Sequence, residues 1–368
     1  MEMYSIRVLQ HHPLRLALTV GGIALCVVLI LFLLSVYRGV EEGSIEYVRH
    51  NRADLWVLQE GATNILRASS ILSAGHGTIL RNIQTVKSAS PIRFLLSSIR
   101  KDDKMMTVYL TGFDPVTGNG GPPSIHEGRN IQNDDEIVLD RSFARKMNFR
   151  VGQSVYMKDD SLRVVGLSTG TNMFVIQYAF VTLRRAQLQI GYPGLVTCYM
   201  VNAQDPGRIE KVRDHIKEEL PGFGVYSHEE FLQNNIHEME SGILPLLYVI
   251  ALIGAVVLTV ILSLLLSINI LERRKDFAVM KTLGSPQRYL PQLIIEQALL
   301  ISSAGSVVAL SLFFPIVAAI ETVSPEVTTR SSFEQVGMVC LTVALISLLS
   351  SFVALRRLRT IYPLEAFE

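Results

Sequence analysis

The sequence has little charge for its length, and the charge it has is unevenly distributed. Only 18% of its 368 residues are charged, against about 25% in an average soluble domain. The 34 basic and 33 acidic side chains leave a net charge of +1, which argues against a nucleic-acid-binding protein because such proteins are usually strongly basic. A hydrophobic content of 49% and a mean hydropathy of +0.33 exclude a disordered chain.

Cysteine and the common catalytic motifs are also scarce or missing. Cys26, Cys198 and Cys340 have no paired spacing, so the sequence offers neither a disulfide framework nor a zinc cluster. It contains no Gly-x-x-x-x-Gly-Lys-[Ser/Thr] loop, no His-Glu-x-x-His pair and no Gly-x-Ser-x-Gly elbow. The glycine cluster at 118–121 is followed by two prolines rather than a helix, so a loop is expected there and not a phosphate site. These absences predict no catalytic residue, metal or cofactor in this chain, and they disfavour a membrane-anchored enzyme.

The scarcity of charge is concentrated in four windows that contain no charged residue. A helix needs about 20 apolar residues to cross a bilayer core about 30 Å thick. The windows contain 22, 31, 24 and 21 residues and are rich in Leu, Val, Ile and Ala: 16–37, 241–271, 297–320 and 335–355. They predict four transmembrane helices: 16–37, 243–271, 293–320 and 336–355. Since no ionisable side chain lies in the windows, the relays of a proton- or ion-coupled transporter are missing.

Basic residues predict the orientation of these helices. Segments 1–15, 272–292 and 356–368 together carry ten Lys or Arg residues, whereas the short loop 321–335 carries one against three acids. By the positive-inside rule, both termini and the 272–292 loop face the cytoplasm. The loop 321–335 and the long segment 38–242 then face outward. The expected location is the cytoplasmic (inner) membrane, in a multi-pass arrangement.

The outward segment 38–242 has dispersed apolar residues, which is typical of a soluble α+β domain. Asp140 is predicted to cap a short helix at 141–147, and a turn at 158–161 predicts a β-hairpin. Ser227-His-Glu-Glu230 fits a capping box at the start of a helix. The predicted fold class is therefore an α-helical membrane protein with four transmembrane helices and an extracytoplasmic α+β domain between the first and second spans.

Two helices are expected to extend beyond the membrane as stalks. The apolar face of the first span continues as far as Tyr47 and Val48. A helix from about 228 to 271 would be roughly 65 Å long at 1.5 Å per residue, about twice the hydrocarbon thickness. The alternative is a separate juxtamembrane helix after a break at Gly242, close to Pro245. Either arrangement ties the outer domain to two spans.

The loop 272–292 carries the strongest remaining signal. Asp276 is predicted to cap a short helix that is closed by Gly284 and Pro286. The apolar face of that helix consists of three residues: Phe277, Met280 and Leu283. Exposed apolar residues at this spacing, surrounded by charge, favour a helix that docks in the groove of a partner protein. A basic juxtamembrane segment that sets the topology and lies on anionic membrane lipids explains the residues equally well.

Three stretches carry a family resemblance. Residues 272–285 are similar to a Glu-Arg-x-x-Glu-Ile-Gly-x-Leu-Arg-Ala-Leu-Gly-Ala pattern, and residues 361–367 to a Pro-x-Glu-Ala-Leu ending. Residues 137–155, followed by Val164–Gly166, are similar to an outer-domain segment of the same proteins. With the one-plus-three arrangement of the spans, these stretches resemble the FtsX/MacB-like permease family of ABC transporters, the mechanotransmission class.

The resemblance has two departures and one refinement. Asp276 and Ala278 replace the Glu and Gly of the family pattern, and both changes are conservative for a short helix. A fused ATPase such as that of MacB is absent from the sequence, so the ATPase is expected in a separate chain. Around residues 54–61 the outer domain looks like the DevC-type branch, whose members pair with an adaptor protein to export glycolipid.

The family implies a homodimeric permease bound to a dimer of cytosolic ATPase subunits, which bind ATP and magnesium. The 272–292 loop would supply the coupling helix, and nine residues are expected to contact the ATPase: Glu272, Arg273, Arg274, Asp276, Phe277, Met280, Lys281, Leu283 and Gly284. ATP-driven movement would export or extract a lipid, glycolipid, lipoprotein or peptide, with or without a periplasmic adaptor and an outer-membrane channel. The alternative is a signal transmitter that carries no cargo and activates a cell-wall hydrolase or sensor outside.

Overall fold

The computed structural model describes residues 13–65, 70–102, 104–158, 160–173, 176–242, 244–272, 275, 279, 280, 286, 289–324 and 332–358. The chain divides into two compact units. The membrane unit is drawn from Met1–Arg38, Pro245–Ile320 and Thr329–Glu368, and the outer unit from Gly39–Leu244 and Glu321–Thr328. The predicted terminal and loop segments at 1–12, 325–331 and 359–368 lie outside the described residues.

In chain order, the described elements are α1 (Pro13–His50), β1 (Leu55–Gln59), β2 (Leu72–Ser73), α2 (His76–Asn82), β3 (Val86–Lys101), β4 (Lys104–Phe113), β5 (Ser124–Gly128), β6 (Glu136–Asp140), α3 (Arg141–Lys146), β7 (Ser154–Met157), β8 (Asp160–Thr169), β9 (Asn172–Met173), β10 (Ile176–Thr182), α4 (Leu183–Ile190), β11 (Leu195–Val196), β12 (Cys198–Ala203), α5 (Ile209–Glu219), β13 (Phe223–Ser227), α6 (His228–Ser241), α7 (Leu244–Glu272), α8 (Tyr289–Val323) and α9 (Phe333–Leu358).

Four of these helices are long and apolar enough to cross a membrane. The candidate spans are Leu16–His50, Pro245–Glu272, Pro291–Val323 and Phe333–Leu355. Each overlaps one of the four uncharged windows. A helix that is apolar on every face is stable only when protein or lipid covers all of its faces. Four apolar helices with an α+β domain between the first and the second confirm the predicted fold class.

The four helices of the membrane unit share one apolar cluster. Gly305 of α8 lies so close to α1 that an added Cβ would be 2.6 Å from the Ile23 side chain. Small residues at such crossings let membrane helices approach closely. Ser350 of α9 donates a hydrogen bond to the Thr259 carbonyl of α7 at 3.1 Å. Close packing and interhelical hydrogen bonds are therefore what hold this unit together.

The outer unit is built around a sheet that closes on itself. Strand pairing runs β3–β4–β10–β6–β8–β7 and returns to β3, with β4–β10 and β6–β8 parallel and the other neighbours antiparallel. All six strands contribute to one buried cluster, which includes Ile99, Leu110, Leu139, Val155 and Val181. Phe143 and Ala144 of α3 join the same cluster. The ring is therefore a small, filled barrel.

The first half of β3 extends beyond the ring into a second group of strands, in the order β13–β1–β12–β3. Helices α2 and α5 cover one face, where Leu80 and Ile216 join the apolar cluster around Leu55 and Val57. On the other face, Trp56 joins a second cluster that also contains Tyr47 of α1. Alternating residues of β1 thus point to opposite faces, as the period of two in a strand requires.

Three local predictions for the outer unit are confirmed. Asp140 accepts hydrogen bonds from the Ser142 and Phe143 backbone N–H groups at 2.7 and 3.2 Å, so it caps α3. Strands β7 and β8 form the expected antiparallel hairpin. Ser227 and Glu230 bond each other's backbone N–H reciprocally, which is the predicted capping box of α6.

The predicted continuous helix from 228 to 271 is wrong. Helix α6 ends at Ser241 and α7 begins at Leu244, with a turn at Gly242, which corresponds to the alternative of a separate helix. Glycine costs about 1 kcal/mol relative to alanine inside a helix. Pro245 suits the first turn of a new helix, where its missing N–H leaves no hydrogen bond unmade. In contrast, α1 is unbroken over 38 residues, as the sequence predicted for the first span.

Candidate functional site

Two regions were expected to carry function, and the 272–292 loop is described only in part. Seven of its predicted coupling residues lie outside the described residues: Arg273, Arg274, Asp276, Phe277, Lys281, Leu283 and Gly284. The structure places Glu272 as the exposed last residue of α7. Met280 is half-buried and packs against the apolar cluster of the membrane unit. Its neighbour Val279 is 44% exposed and was not singled out from the sequence, because it lies off the predicted apolar face.

The second region is the part of α1 that belongs to the outer unit, where Tyr47 is the central residue. Its side chain is fully buried and stacks on Tyr178, with ring centroids 4.9 Å apart, and it meets Phe94 edge-on at 5.5 Å. Its hydroxyl donates a hydrogen bond to the Gly120 carbonyl at 2.7 Å. Burial, with a smaller contribution from Tyr178, raises the pKa of Tyr47 well above its usual range, so the hydroxyl keeps its proton. Tyr47 thus joins α1 to the core of the outer unit.

Asn51, immediately beyond α1, completes this attachment. Its side-chain oxygen accepts from the Gly120 backbone N–H at 3.0 Å, and its amide donates to the Gly121 carbonyl at 3.2 Å. The same amide donates to the Tyr47 carbonyl at 3.1 Å. One side chain therefore connects the last turn of α1 to the N–H of Gly120 and to the carbonyl of Gly121. We refer to Tyr47, Asn51 and residues 118–121 as the α1 anchor.

The glycines of the α1 anchor are required by its geometry. Gly120 has a φ of +80°, and an added Cβ would lie 2.0 Å from the Ile92 side chain. A Cβ on Gly121 would lie 2.7 Å from the Phe113 ring. The Gly120 N–H is already bonded to Asn51 and the Gly121 N–H to the Gly118 carbonyl. The loop therefore presents these N–H groups to the protein itself and does not cradle a phosphate, as the sequence predicted.

A third attachment fixes Gly43, in the middle of the outer part of α1. An added Cβ at this position would lie 2.6 Å from the Asn172 carbonyl oxygen of β9. The Asn172 segment is itself held, since Gln177 donates to the Asn172 side chain at 3.1 Å. At Gly43, therefore, α1 approaches the sheet of the outer unit too closely for a side chain.

Helix α6 is attached to the same core by different contacts. Phe231 stacks on Trp56 with centroids 4.6 Å apart, and both side chains are fully buried. Asn235 accepts from the Ile65 backbone N–H at 3.1 Å and donates to the Phe231 carbonyl at 2.7 Å. Tyr109 of β4 donates to the Ile65 carbonyl at 2.6 Å. The segment at Ile65 thus lies between α6 and the barrel, and we refer to these residues as the α6 anchor.

Sequence reasoning missed most of both anchors. It included Tyr47 as part of an apolar helix face but not as a hydrogen-bond donor, and it treated Gly120 only as a loop residue. The partner residues are about 70 positions apart along the chain, so no local pattern connects them. A glycine cluster without a following helix was the one signal that indicated a special backbone requirement.

The described part of the chain offers little for catalysis. No group of three or more His, Cys, Asp or Glu residues within it could hold a metal ion. Cys198 is fully buried, and burial raises the pKa of its thiol, so it is not an activated nucleophile. Glu136 has a pKa lowered to about 2, mainly by its hydrogen bond from Arg129, but it is buried in a turn that it stabilises. The buried contacts described above instead attach α1 and α6 to the core of the outer unit.

Comparison with known proteins agrees with this division into an outer and a membrane unit. The MacB-like periplasmic core domain family matches residues 16–219, which is more than half of the chain. The chain belongs to this family. The FtsX-like permease C-terminal family matches residues 248–363. The protein is therefore an ABC transporter permease of the MacB/FtsX type, and the resemblance seen in the sequence is confirmed.

Several relatives share this description. An uncharacterized ABC transporter permease of Mycobacterium bovis is 23% identical over 367 residues, covering 99% of this chain and 98% of the relative. Another, from Methanocaldococcus jannaschii, is 23% identical over 260 residues, covering 66% of this chain and 65% of the relative. Among solved structures, the periplasmic region of MacB from Actinobacillus actinomycetemcomitans is 15% identical with a TM-score of 0.40, covering 50% of this chain and 94% of that one.

The family assignment fixes the general role of the permease. It is a membrane protein and a permease subunit, which is not itself catalytic, and an ABC permease implies an ATPase partner.

Proposed function

We propose that the permease couples ATP hydrolysis by a separate cytosolic ATPase dimer to movement of its outer unit. That movement would drive the export or extraction of an amphiphile, such as a lipid, glycolipid, lipoprotein or peptide. The observation that carries the proposal is the α1 anchor, a buried, hydrogen-bonded attachment at the end of an unbroken helix. A helix that ended in a flexible tether could not transmit a displacement.

The chemistry of the spans supports mechanical coupling over transport through the bilayer. Within the four uncharged windows there is no Asp, Glu, Lys, Arg or His, whereas polar pathways across membranes are lined by such residues. Glu296 lies in the third candidate span but just outside its uncharged window. Buried side chains of the kind that form the α1 anchor are close-packed and shift between discrete arrangements rather than deforming continuously. Tyr47 and its aromatic neighbours would therefore move with α1 as one body. A permease that works by such mechanical coupling would bind its cargo outside the membrane.

The remaining parts of the proposal follow from the basic residues and the family. The termini and the 272–292 loop would face the cytoplasm, with the outer unit on the far side of the inner membrane. Two copies of the permease would bind two ATPase subunits, which hold ATP and magnesium. The coupling contacts would come from the loop, where Val279 adds an exposed apolar side chain to the predicted set. A periplasmic adaptor would extend the pathway outward.

The coupling contacts are tested by placing a carboxylate on the loop. We expect Phe277→Asp to weaken binding of the ATPase by at least about tenfold, because a charge in the apolar centre of an interface costs more than most other changes. The measurements are co-purification of the ATPase with the full-length permease and ATP turnover of the reconstituted complex. Tyr192→Asp is the matched control, since Tyr192 is 66% exposed in the outer unit.

The result is decisive in either direction. Reduced complex formation in Phe277→Asp, with Tyr192→Asp unchanged, supports the loop as the coupling element. Unchanged complex formation and turnover in Phe277→Asp would remove the loop from the mechanism. Met280→Asp is less specific, because Met280 also packs against the membrane unit and its replacement perturbs that contact.

A further inference from the structure

A groove runs between α8 and α9 in the membrane unit, with a volume of about 570 Å³. Its wall is mainly aliphatic, formed by Leu299, Leu300, Val307 and Leu310 of α8 and by Val343 and Ala344 of α9. Three serines of α8 also line it, but Ser302, Ser303 and Ser306 each donate to a carbonyl of their own helix at 2.8–3.1 Å. Their hydroxyls are therefore satisfied without a ligand. The long wall of the groove behaves as an apolar surface.

One end of the groove carries a carboxylate, Glu296. The uncharged window of the sequence begins one residue later, at Gln297, which suggested a span without ionisable groups. The structure corrects this expectation, because α8 begins at Tyr289 and the candidate span at Pro291, so Glu296 lies inside it. Glu296 is half-buried, and its Oε2 is buried without a hydrogen-bond partner among the described residues.

An unpaired carboxylate at this position needs a partner. Ionisable residues within membrane spans are costly, and they usually pair with an opposite charge or line a functional site. A buried oxygen without a hydrogen bond destabilises the protein, and it does so more strongly when the group is charged. The described neighbours of Glu296 in the groove are aliphatic residues, serines that bond their own helix, and Cys340, so none supplies a cation. The partner must come from outside the described residues.

The length of the groove indicates what that partner is. From Glu296 to Leu310 the α8 wall spans 14 residues, or roughly 21 Å at 1.5 Å per residue. One leaflet of a bilayer has a hydrocarbon thickness of about 15 Å, half of the full core. The groove is therefore long enough for an acyl chain that spans the hydrocarbon of one leaflet, and it carries a carboxylate at the end where the span leaves the uncharged window. This arrangement matches a lipid, whose chain is apolar and whose headgroup lies at the membrane surface.

We propose that this groove binds the acyl chain of a phospholipid whose headgroup bears a primary ammonium, which donates hydrogen bonds to Glu296. A primary ammonium supplies both the positive charge and the N–H donors that an unpaired carboxylate lacks. The site lies in the leaflet on the side of the 272–292 loop, because Glu296 is near that end of α8. Bound lipid would fill the space between α8 and α9 and hold these two helices at a fixed separation.

The test compares two lipids that differ in their headgroup donors. The purified full-length permease, without any ATPase, is incubated with phosphatidylethanolamine or phosphatidylcholine, and retained lipid is counted by native mass spectrometry. Both headgroups are zwitterionic, but only ethanolamine has N–H donors. We expect a preference for phosphatidylethanolamine of at least about tenfold, the range that a charge-assisted hydrogen bond provides. Glu296→Gln should abolish the preference, whereas Glu334→Gln should keep it, since Glu334 is exposed on α9 and does not line the groove.

A second variant tests the aliphatic part of the groove. Ala344→Phe should fill the wall of α9 and lower retention of both lipids, while thermal unfolding in detergent shows that the variant is folded. An equal preference in the wild type and Glu296→Gln overturns the proposal. A dimer that becomes a monomer in Ala344→Phe, with lipid retention unchanged, also overturns it, because the groove would then be an interface between copies. Since no ATPase is present, these outcomes do not depend on the coupling mechanism.

Discussion

The spans are connected to the outer unit by α1 on one side and by α6 and α7 on the other. Both connections contain glycine, but only α1 is one continuous helix. Helix α1 continues through Gly39 and Gly43 without a break, whereas Gly242 separates α6 from α7. Gly43 is needed because α1 touches a backbone carbonyl there, and the contacts of the α1 anchor stabilise the helix on the C-terminal side of it. Gly242 is followed closely by Pro245, and this pair starts a new helix. Tertiary contact therefore decides which glycine interrupts a helix.

This difference suggests that the two connections have different mechanical roles. An unbroken helix transmits both translation and rotation along its axis, while a turn between two helices lets their directions vary. Both anchors have fully buried aromatic side chains at their centre, Tyr47 in one and Phe231 in the other, so the contrast lies in the connections. The three predictions below test this contrast, and the first two are followed through the fluorescence of Trp56, the sole tryptophan, as the outer unit unfolds.

The largest effect is expected from removing the aromatic group of the α1 anchor. Tyr47→Ala leaves a cavity among Tyr178, Phe94 and Phe180, and we expect a loss of about 3–5 kcal/mol in the free energy of unfolding. Tyr47→Phe keeps the ring and loses only the bond to Gly120, so its cost should be near 1–2 kcal/mol. Equal stability of Tyr47→Ala and the wild type would show that the end of α1 is not anchored.

An intermediate effect is expected at the close approach of α1 to β9. Gly43→Ala places a Cβ 2.6 Å from the Asn172 carbonyl, and overpacking against backbone costs about 1–3 kcal/mol. Gly22→Ala is the matched control on the same helix, because an added Cβ there meets nothing within 4 Å. This control should be neutral, or stabilising by up to about 1 kcal/mol through helix propensity. If both alanines stabilise the protein, the contact at Gly43 does not constrain α1.

The smallest effect is expected at the break between α6 and α7. Gly242→Ala raises helix propensity by up to about 1 kcal/mol and should make the connection more like α1. Amide hydrogen exchange at residues 241–244 measures this directly, and we expect slower exchange in the variant. Exchange as fast as in the wild type would mean that Pro245, rather than Gly242, sets the break.

Structural features that depend on neighbouring residues could be predicted from the sequence, whereas features that depend on distant residues could not. The cap at Asp140, the capping box at Ser227 and Glu230, and the four apolar helices follow from neighbouring residues, and all were predicted. Closure of the six-stranded ring joins β3 to β7 across more than 50 residues, which no periodicity indicates.

The site could be predicted less well than the fold. The bond between Tyr47 and Gly120 and the contact at Gly43 both depend on tertiary structure. Glu296 was missed for a simpler reason, because measuring spans from one charge to the next necessarily excludes the charge at the boundary. All nine predicted coupling residues stay predictions, and only Glu272 and Met280 among them are described.

Closure of the ring also limits how the outer unit can recognise other proteins. In the described sheet the strands with a single partner are β5, β9 and β13, which are five, two and five residues long. Short, irregular edges are poor templates for pairing with another chain, and they protect against aggregation in a crowded compartment. A peptide that binds by adding a strand would find few backbone groups to pair with. Any adaptor or cargo therefore has to be recognised through side chains on the faces and loops of the outer unit.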